Sequence, residues 1–375
     1  MPVSNISENE SLTVKEANSS IDKEWIEFIQ NYDECSIYYH PVWLRVLQGE
    51  TNQKVIKLVC RDNSGHMVGI LPLQFTKGVP FGLGGIAGAK RISSLPRTPV
   101  SGLIASNEDI ADLLISKANE ISKNKSNHRL QIKSFNDNLN SNIKDLSKHF
   151  WREVYFTDIP KYPEEIRFGN SKNHSTIKRA VNKAIKSGVT IKYSDSEIDL
   201  LAWYKLYLDT MKFHTSPPRS LGFFKSLWNN LKSKGLMQLA LAELEDGGGK
   251  RIIAGSIFLN FNKTVVYAFN GSNRKDFELR PNDLIHWTII HDAQKNGFEV
   301  YDLGEVANGQ DGLAAYKQKW ASRILKMYHY YCPDLNEKNE ENIDSDISGM
   351  LLKNVWNILP LKITSIIGSQ ISKYL

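Results

Sequence analysis

The chain has 375 residues, a formal charge of +6 and a pI near 8.9. That is too long for one small core, so two domains are expected, and too weakly basic to mark a nucleic-acid binder by charge alone. Three scattered cysteines, Cys35, Cys60 and Cys332, form no CxxC and exclude a disulfide framework, which points to a reducing, cytoplasmic compartment; no apolar run is long enough to cross a membrane as a simple helix.

Residues 1–20 are polar and carry acids with no apolar h-region, so they read as a loose arm rather than a signal peptide. Helical spacing follows over 21–32, with Trp25, Phe28 and Ile29 on one side, and over 41–47, where Pro41 suits a first turn and Trp43, Leu44 and Leu47 face inward. Core packing is preferred over ligand stacking for Trp43. Residues 55–60 and 67–75 read as a strand pair joined by a turn-rich linker. The glycine-rich run 81–102 matches neither a P-loop nor a clean dinucleotide fingerprint, and is read as a substrate-lining loop or a tight irregular connection. A helix over 107–123 and strands over 128–135 and 152–157 complete the first half. Pro160 and Pro163 punctuate the chain, and a boundary is placed at 164/165.

The second half opens on its most basic segment. Arg167, Lys172, Lys178, Arg179, Lys183, Lys186 and Lys192 occur with no acid between them. Ile177, Ala180, Val181, Ala184 and Ile185 have the spacing of one buried helical face, which leaves the cations on the other. Exposed helices usually interleave signs, so this face is read as one for phosphates rather than only a solvated surface. A strand (189–193), two helices (197–214 and 221–232) and a three-stranded meander (237–244, 251–260, 265–270) follow. Pro281 and Asn282 start a helix that Gly297 ends. Then comes a strand over 298–303 that stops at Gly304, a loop, a helix over 312–320 with Lys317 and Lys319, and a last strand over 324–331. A rigid strand end with Asp302, a glycine that lets a ligand approach, and a lysine on a following helix is a workable site, although the same pattern also occurs as an ordinary connection. Residues 333–348 read as an acidic linker. Residues 349–375 are apolar with Lys353, Lys362 and Lys373 as the only charged side chains and a kink at Pro360. This amphipathic helical tail suits either peripheral contact with an anionic membrane face or docking on the protein's own core or a second subunit. Histidine spacing, His286 and His291 at i, i+5, gives no metal site.

The element order of the second half resembles the GNAT fold of N-acyltransferases, and the first half looks like a worn copy of it. HPVWLRVL, IKRAVNKAIKSGV, and RPNDLIHWTIIHDAQKNGFEVYDLG followed by GLAAYKQKW resemble the FemAB-related, BioF2-like acyltransferases over roughly residues 38–332. The resemblance implies an α+β fold of two tandem GNAT-like domains, mixed and mostly antiparallel sheets flanked by helices, at 21–164 and 165–332. It implies that Lys317, in the pair Tyr316-Lys317, sits near the reacting ester or thioester, and that the Lys178/Arg179 helix and the Trp43 helix lie near the acceptor cleft. One departure concerns the donor. The glycine loop that binds the pyrophosphate of acetyl-CoA in ordinary GNAT enzymes is replaced by RKDFELRP, residues 274–281, whose Arg274, Lys275 and Arg280 can still meet phosphates, including those of a charged tRNA.

The expected function is N-acyl transfer from an acyl-CoA or an aminoacyl-tRNA, used as co-substrate with no bound cofactor, to an amine of a phosphate-bearing or lipid-linked cell-envelope precursor. Lys317 would stabilise the tetrahedral oxyanion, Asp302 would orient the amine or take its proton, and Tyr267 and Tyr316 would protonate the leaving group. Trp43, Lys178, Arg179, Arg274, Arg280, Asn282 and Gly304 are the expected binding residues. No Ser/His/Asp or Cys/His relay is legible, which suits direct transfer. The competing reading is a degenerate module that binds a glycan precursor without chemistry.

Overall fold

The computed structural model describes residues 12–33, 35–78, 90–99, 102–125, 128–139, 146–334 and 359–371. The first half contains β1 (Thr13–Ala17), α1 (Asp22–Gln30), α2 (Pro41–Thr51), β2 (Val55–Arg61), β3 (Met67–Thr76), β4 (Arg91–Ser93), β5 (Ile104–Ala105), α3 (Glu108–Lys123), β6 (Arg129–Ser134) and β7 (Ser147–Asp158). The second contains α4 (Ser171–Lys186), β8 (Val189–Ser194), α5 (Glu197–Phe213), α6 (Leu221–Leu231), β9 (Met237–Asp246), β10 (Gly249–Phe261), β11 (Thr264–Ser272), α7 (Pro281–Lys295), β12 (Val300–Val306), α8 (Asp311–Trp320) and β13 (Arg323–Cys332), and α9 (Leu361–Ile371) comes last. It is the mixed, mostly antiparallel α+β architecture expected.

Local chemistry sets the helix starts. Pro41 occupies the first turn of α2 while His40 Nδ1 accepts from the Val42 amide, and Asn52 ends the helix in the left-handed region. Asn107, Asn170, Ser196 and Ser220 cap α3, α4, α5 and α6 through their side-chain oxygens.

The strands form one continuous sheet in the order β1-β2-β3-β4-β6-β13-β7-β12-β11-β10-β9-β8, with β5 on β3. The last strand of the second half, β13, lies between β6 and β7 and pairs antiparallel with both. A division at 164/165 therefore separates the chain but not the sheet, which runs through both halves. In the second half, alternation along the strands feeds two cores. Leu239, Leu241 and Ile257 pack with α1, α2, α5 and α6 on one face, while Ala240, Ala242 and Phe258 pack with α4, α7 and α8 on the other.

Three expectations need correction, and one open alternative is narrowed. The arm is not loose throughout, because Thr13–Ala17 pairs with β2 as an edge strand. Gly304 does not stop its strand; at φ 79° it forms a bulge through which β12 continues to Val306. Ile185 is 57% exposed rather than buried. The tail docks at least in part on the protein itself: α9 packs on α5, Thr364 is buried, and Lys212 Nζ donates to the Leu359 carbonyl at 2.7 Å. The glycines at 82–88, the linker residues 335–348, and residues 349–358 and 372–375 lie outside the described residues. Among the described residues no helix is long and apolar enough to cross a membrane.

Candidate active site

Parallel strands β11 and β12 pair only over Thr264–Val266 and Val300–Asp302. Strand β12 pairs with β7 on its other side from Val300 to Val306; beyond the Gly304 bulge it keeps that pairing, with Gly304, Glu305 and Val306 against Tyr155, Val154 and Glu153, and loses the one with β11. Only a residue at ease with positive φ makes that turn without strain. From Tyr267 onward, the edge of β11 that faced β12 has no strand partner among the described residues. The V so opened leads into a cleft of about 660 Å³ between the two halves of the chain. Tyr267 to Asn270 line one wall, Glu305 and Lys317 a second, and Arg91, Arg97, Lys133 and Arg219 a third.

Lys317 reaches this cleft from α8. It is 7% exposed, and its ammonium donates to the Glu305 carbonyl at 2.9 Å, which uses one of its three N–H donors. Burial lowers its pKa to about 8, against the opposing pull of Asp302 and Glu305. Asp302 is buried behind it and is not a lining residue. Its Oδ1 accepts the Gly304 amide at 2.7 Å, and burial raises its pKa to about 6. A Cβ at Gly304 would stand 3.6 Å from Lys317 Nζ. The lysine, the carboxylate and the bulge thus form one unit at the apex of the V. Tyr267 lines the cleft, with its phenol hydrogen-bonded to Ser256 and its pKa pushed up by burial. Tyr316 does not line the cleft; its hydroxyl is enclosed beside the ring of His286, and burial raises its pKa too.

The opposite wall is cationic. Arg97 and Arg219 both stand in proline-bounded turns and brace each other: Arg219 Nη2 donates to the Arg97 carbonyl at 2.5 Å and Arg97 Nη2 to the Pro217 carbonyl at 3.2 Å. Buried Glu50 pairs with Arg219 Nη1, and Glu305 pairs with Arg152 at 2.6 Å. Lys133 is held by the carbonyls of Leu95 and Thr98 at 2.9 and 2.6 Å, and burial lowers its pKa to about 7. The cleft therefore carries more fixed positive charge than its acids offset, which suits a ligand with phosphate groups.

The remaining expected residues are scattered. Trp43 is 1% exposed, packs edge-on against Tyr38 and Phe223, and donates its indole N–H to Thr98 Oγ1 at 3.3 Å. It is a core residue behind the cleft wall, not a ligand contact. Arg179 and Arg280 lie away from the cleft because α4 packs on α7 and α8, across the sheet from α5. There, with Lys183, Lys319 and Asp283, they line a separate pocket of about 250 Å³. Lys178 is exposed on α4, Asn282 accepts from Ser272 Oγ at 3.0 Å, and Arg274 is stacked 3.5 Å over the Phe213 ring. The cleft residues the sequence reading missed, Arg97 and Arg219 above all, carried one signal: each follows a proline in a breaker segment, SLPRTP and TSPPRS.

Residues 171–318 match the family model of the GNAT acetyltransferase domain. That span runs from the start of α4 to one residue beyond Lys317, so it takes in both sides of the V. The second half of the chain carries a GNAT acetyltransferase domain. Among solved structures, FemX shares the fold at a TM-score of 0.62 and 15% identity, over 88% of this chain and 100% of its own. The L-PGS of Bacillus licheniformis shares it at 0.55 and 13%, over 91% and 98%. No curated protein sequence matches significantly. The GNAT domain contains both strands of the V and Lys317, and the cationic wall facing them comes from both halves, Arg91, Arg97 and Lys133 from the first and Arg219 from the second.

Proposed function

We propose that the enzyme transfers an aminoacyl group from a charged tRNA to an amine of a phosphate-bearing cell-envelope precursor, by direct attack. The observation that carries this reading is the buried Lys317 at the apex of the β11/β12 V, opposite the wall of Arg97, Arg219 and Lys133. Phosphates of the acceptor bind that wall and bring its amine to the V. The amine attacks the ester carbon, a C–N bond forms and the ester C–O bond breaks. The proton lost by the amine ends on the leaving ribose hydroxyl. Lys317 donates to the developing oxyanion. Asp302 stands behind Lys317, so its role is to hold that ammonium charged and in place rather than to touch substrate. Tyr267 is placed to pass a proton to the leaving oxygen.

The tRNA donor is favoured over acyl-CoA by the start of α7. Pro281 has no amide to offer, the Asp283 carboxylate accepts its own amide, and the Lys275, Asp276 and Arg280 amides are engaged by Asn273 and Phe277. A pyrophosphate cradled by backbone amides finds few to meet there. Side-chain cations do remain, on α4 and at Arg280 and Lys319, and they suit the phosphates of a nucleic-acid backbone. The fold shared with FemX and L-PGS is compatible with this reading. The test is a transfer assay with labelled aminoacyl-tRNA and labelled acetyl-CoA, using nucleotide-linked muropeptide and amino-sugar acceptors in parallel. Transfer from tRNA supports the reading; transfer from acetyl-CoA alone overturns the donor, and none from either overturns the activity.

A further inference from the structure

Among the described residues, helix α9 covers α5 with one face, and the side chains of its other face are exposed. Thr364 is buried, and Gly368 lies so close to Pro218 that a Cβ there would meet the proline ring at 2.3 Å, so this face is fitted to its site. Ile363, Ile366 and Ile367 point the other way, 41%, 64% and 39% exposed. The stretch 350–375 contains no acid and three lysines. At the end of α5, next to where Lys212 holds the Leu359 carbonyl, Phe213 is exposed with the Arg274 guanidinium over its ring, and exposed Lys275 and Phe277 follow. Asp209, Asp276 and Glu278 are the acids on these same two segments; Asp276 is buried and paired with Arg251, and burial pushes the Asp209 pKa up, toward the neutral form.

From this arrangement we propose that α9 and the Phe213–Arg274 rim dock on an anionic lipid surface. Isoleucines on one face, aromatics at the rim and cations beside them are the side-chain set that enters the headgroup boundary of an anionic bilayer. A second copy of the chain fits less well, because the three isoleucines offer roughly 300 Å², well short of the about 800 Å² per partner of a stable protein interface. The docking surface adjoins the cleft, since Thr210, Met211 and His214 of the same helix end line it. A docked enzyme holds its cationic wall near the headgroups, and the acceptor it meets there is lipid-linked. That last clause rests on the proposed function; the docking does not.

The experiment is co-sedimentation of the full chain with phosphatidylcholine vesicles and with vesicles of phosphatidylglycerol mixed with phosphatidylcholine. Binding is expected to the mixed vesicles only and to fall as salt is raised. Ile363→Ser/Ile366→Ser/Ile367→Ser should weaken it about tenfold or more while the far-ultraviolet circular dichroism stays unchanged; Ile366→Asp alone keeps the test open should the triple variant misfold. Protein that stays in the supernatant with both vesicle types overturns the proposal, as does a serine variant that binds undiminished. A dimer that the serine change dissociates also overturns it. No transfer reaction is read, so failure here is distinguishable from failure of the proposed activity.

Discussion

Lys317 is a lysine the fold stabilises poorly and the proposed chemistry needs. Its pKa falls from 10.5 to about 8 on burial, so between those values the unfolded chain binds more protons than the folded one. The cost is full below about pH 8 and fades toward pH 10. Lys317→Met should therefore raise stability at pH 7 by on the order of 2 kcal/mol, a few degrees in Tm, with the gain shrinking above pH 8. Calorimetric melts across that range check it; a loss of stability at pH 7 would contradict the assignment. The same variant should lose about 10²–10³ in kcat. Asp302, with a pKa raised to about 6, must be ionised to hold Lys317 charged, so kcat/KM should rise through pH 6 and fall through pH 8. In Asp302→Asn the acidic limb should vanish and the alkaline limb move down, an outcome a purely structural carboxylate would not give.

Gly304 decides the path of a whole strand. At its φ of 79° β12 parts from β11 while keeping its pairing with β7, and that parting opens the V. Gly304→Ala should cost about 1–2 kcal/mol from the left-handed backbone alone and should lower kcat more than it raises KM, because Lys317 is displaced while the cationic wall is not. A variant with normal kcat would show that the bulge does not set the lysine. The helices and the long strands were legible because their apolar periods are clean: α4, α5, α7 and β8 to β13 fall within a few residues of expectation. Three strands escaped. β4 and β5 are three and two residues long, too short for a period. β1, TVKEA, is an edge strand with no buried residue, so its sequence looks like a solvated arm.

Across the whole molecule, β13 threads between β6 and β7 and joins the halves into one sheet, so the cleft walls are set by pairing that sequence order does not announce. That is why Lys317 and Gly304 could be singled out from their local pattern, while Arg97, Arg219 and Lys133 could not: only tertiary structure brings them opposite the V. It is also why Arg179 was misplaced, since it lies across the sheet, whereas Trp43 is in the core, as its packing preference suggested. Arg97→Ala and Arg219→Ala should each raise KM for a phosphate-bearing acceptor about tenfold or more with little change in kcat. Arg219→Ala should also destabilise the fold, because Glu50 would be left buried without its partner.

The most direct test of the account is single-turnover transfer from labelled aminoacyl-tRNA to a nucleotide-linked muropeptide amine by wild type and Lys317→Ala, each checked for fold by circular dichroism. The account predicts amide product from the wild type and a loss of about 10²–10³ in rate for a folded Lys317→Ala protein. Equal rates would contradict the account, because the charge at the apex of the V would then play no part in the transfer.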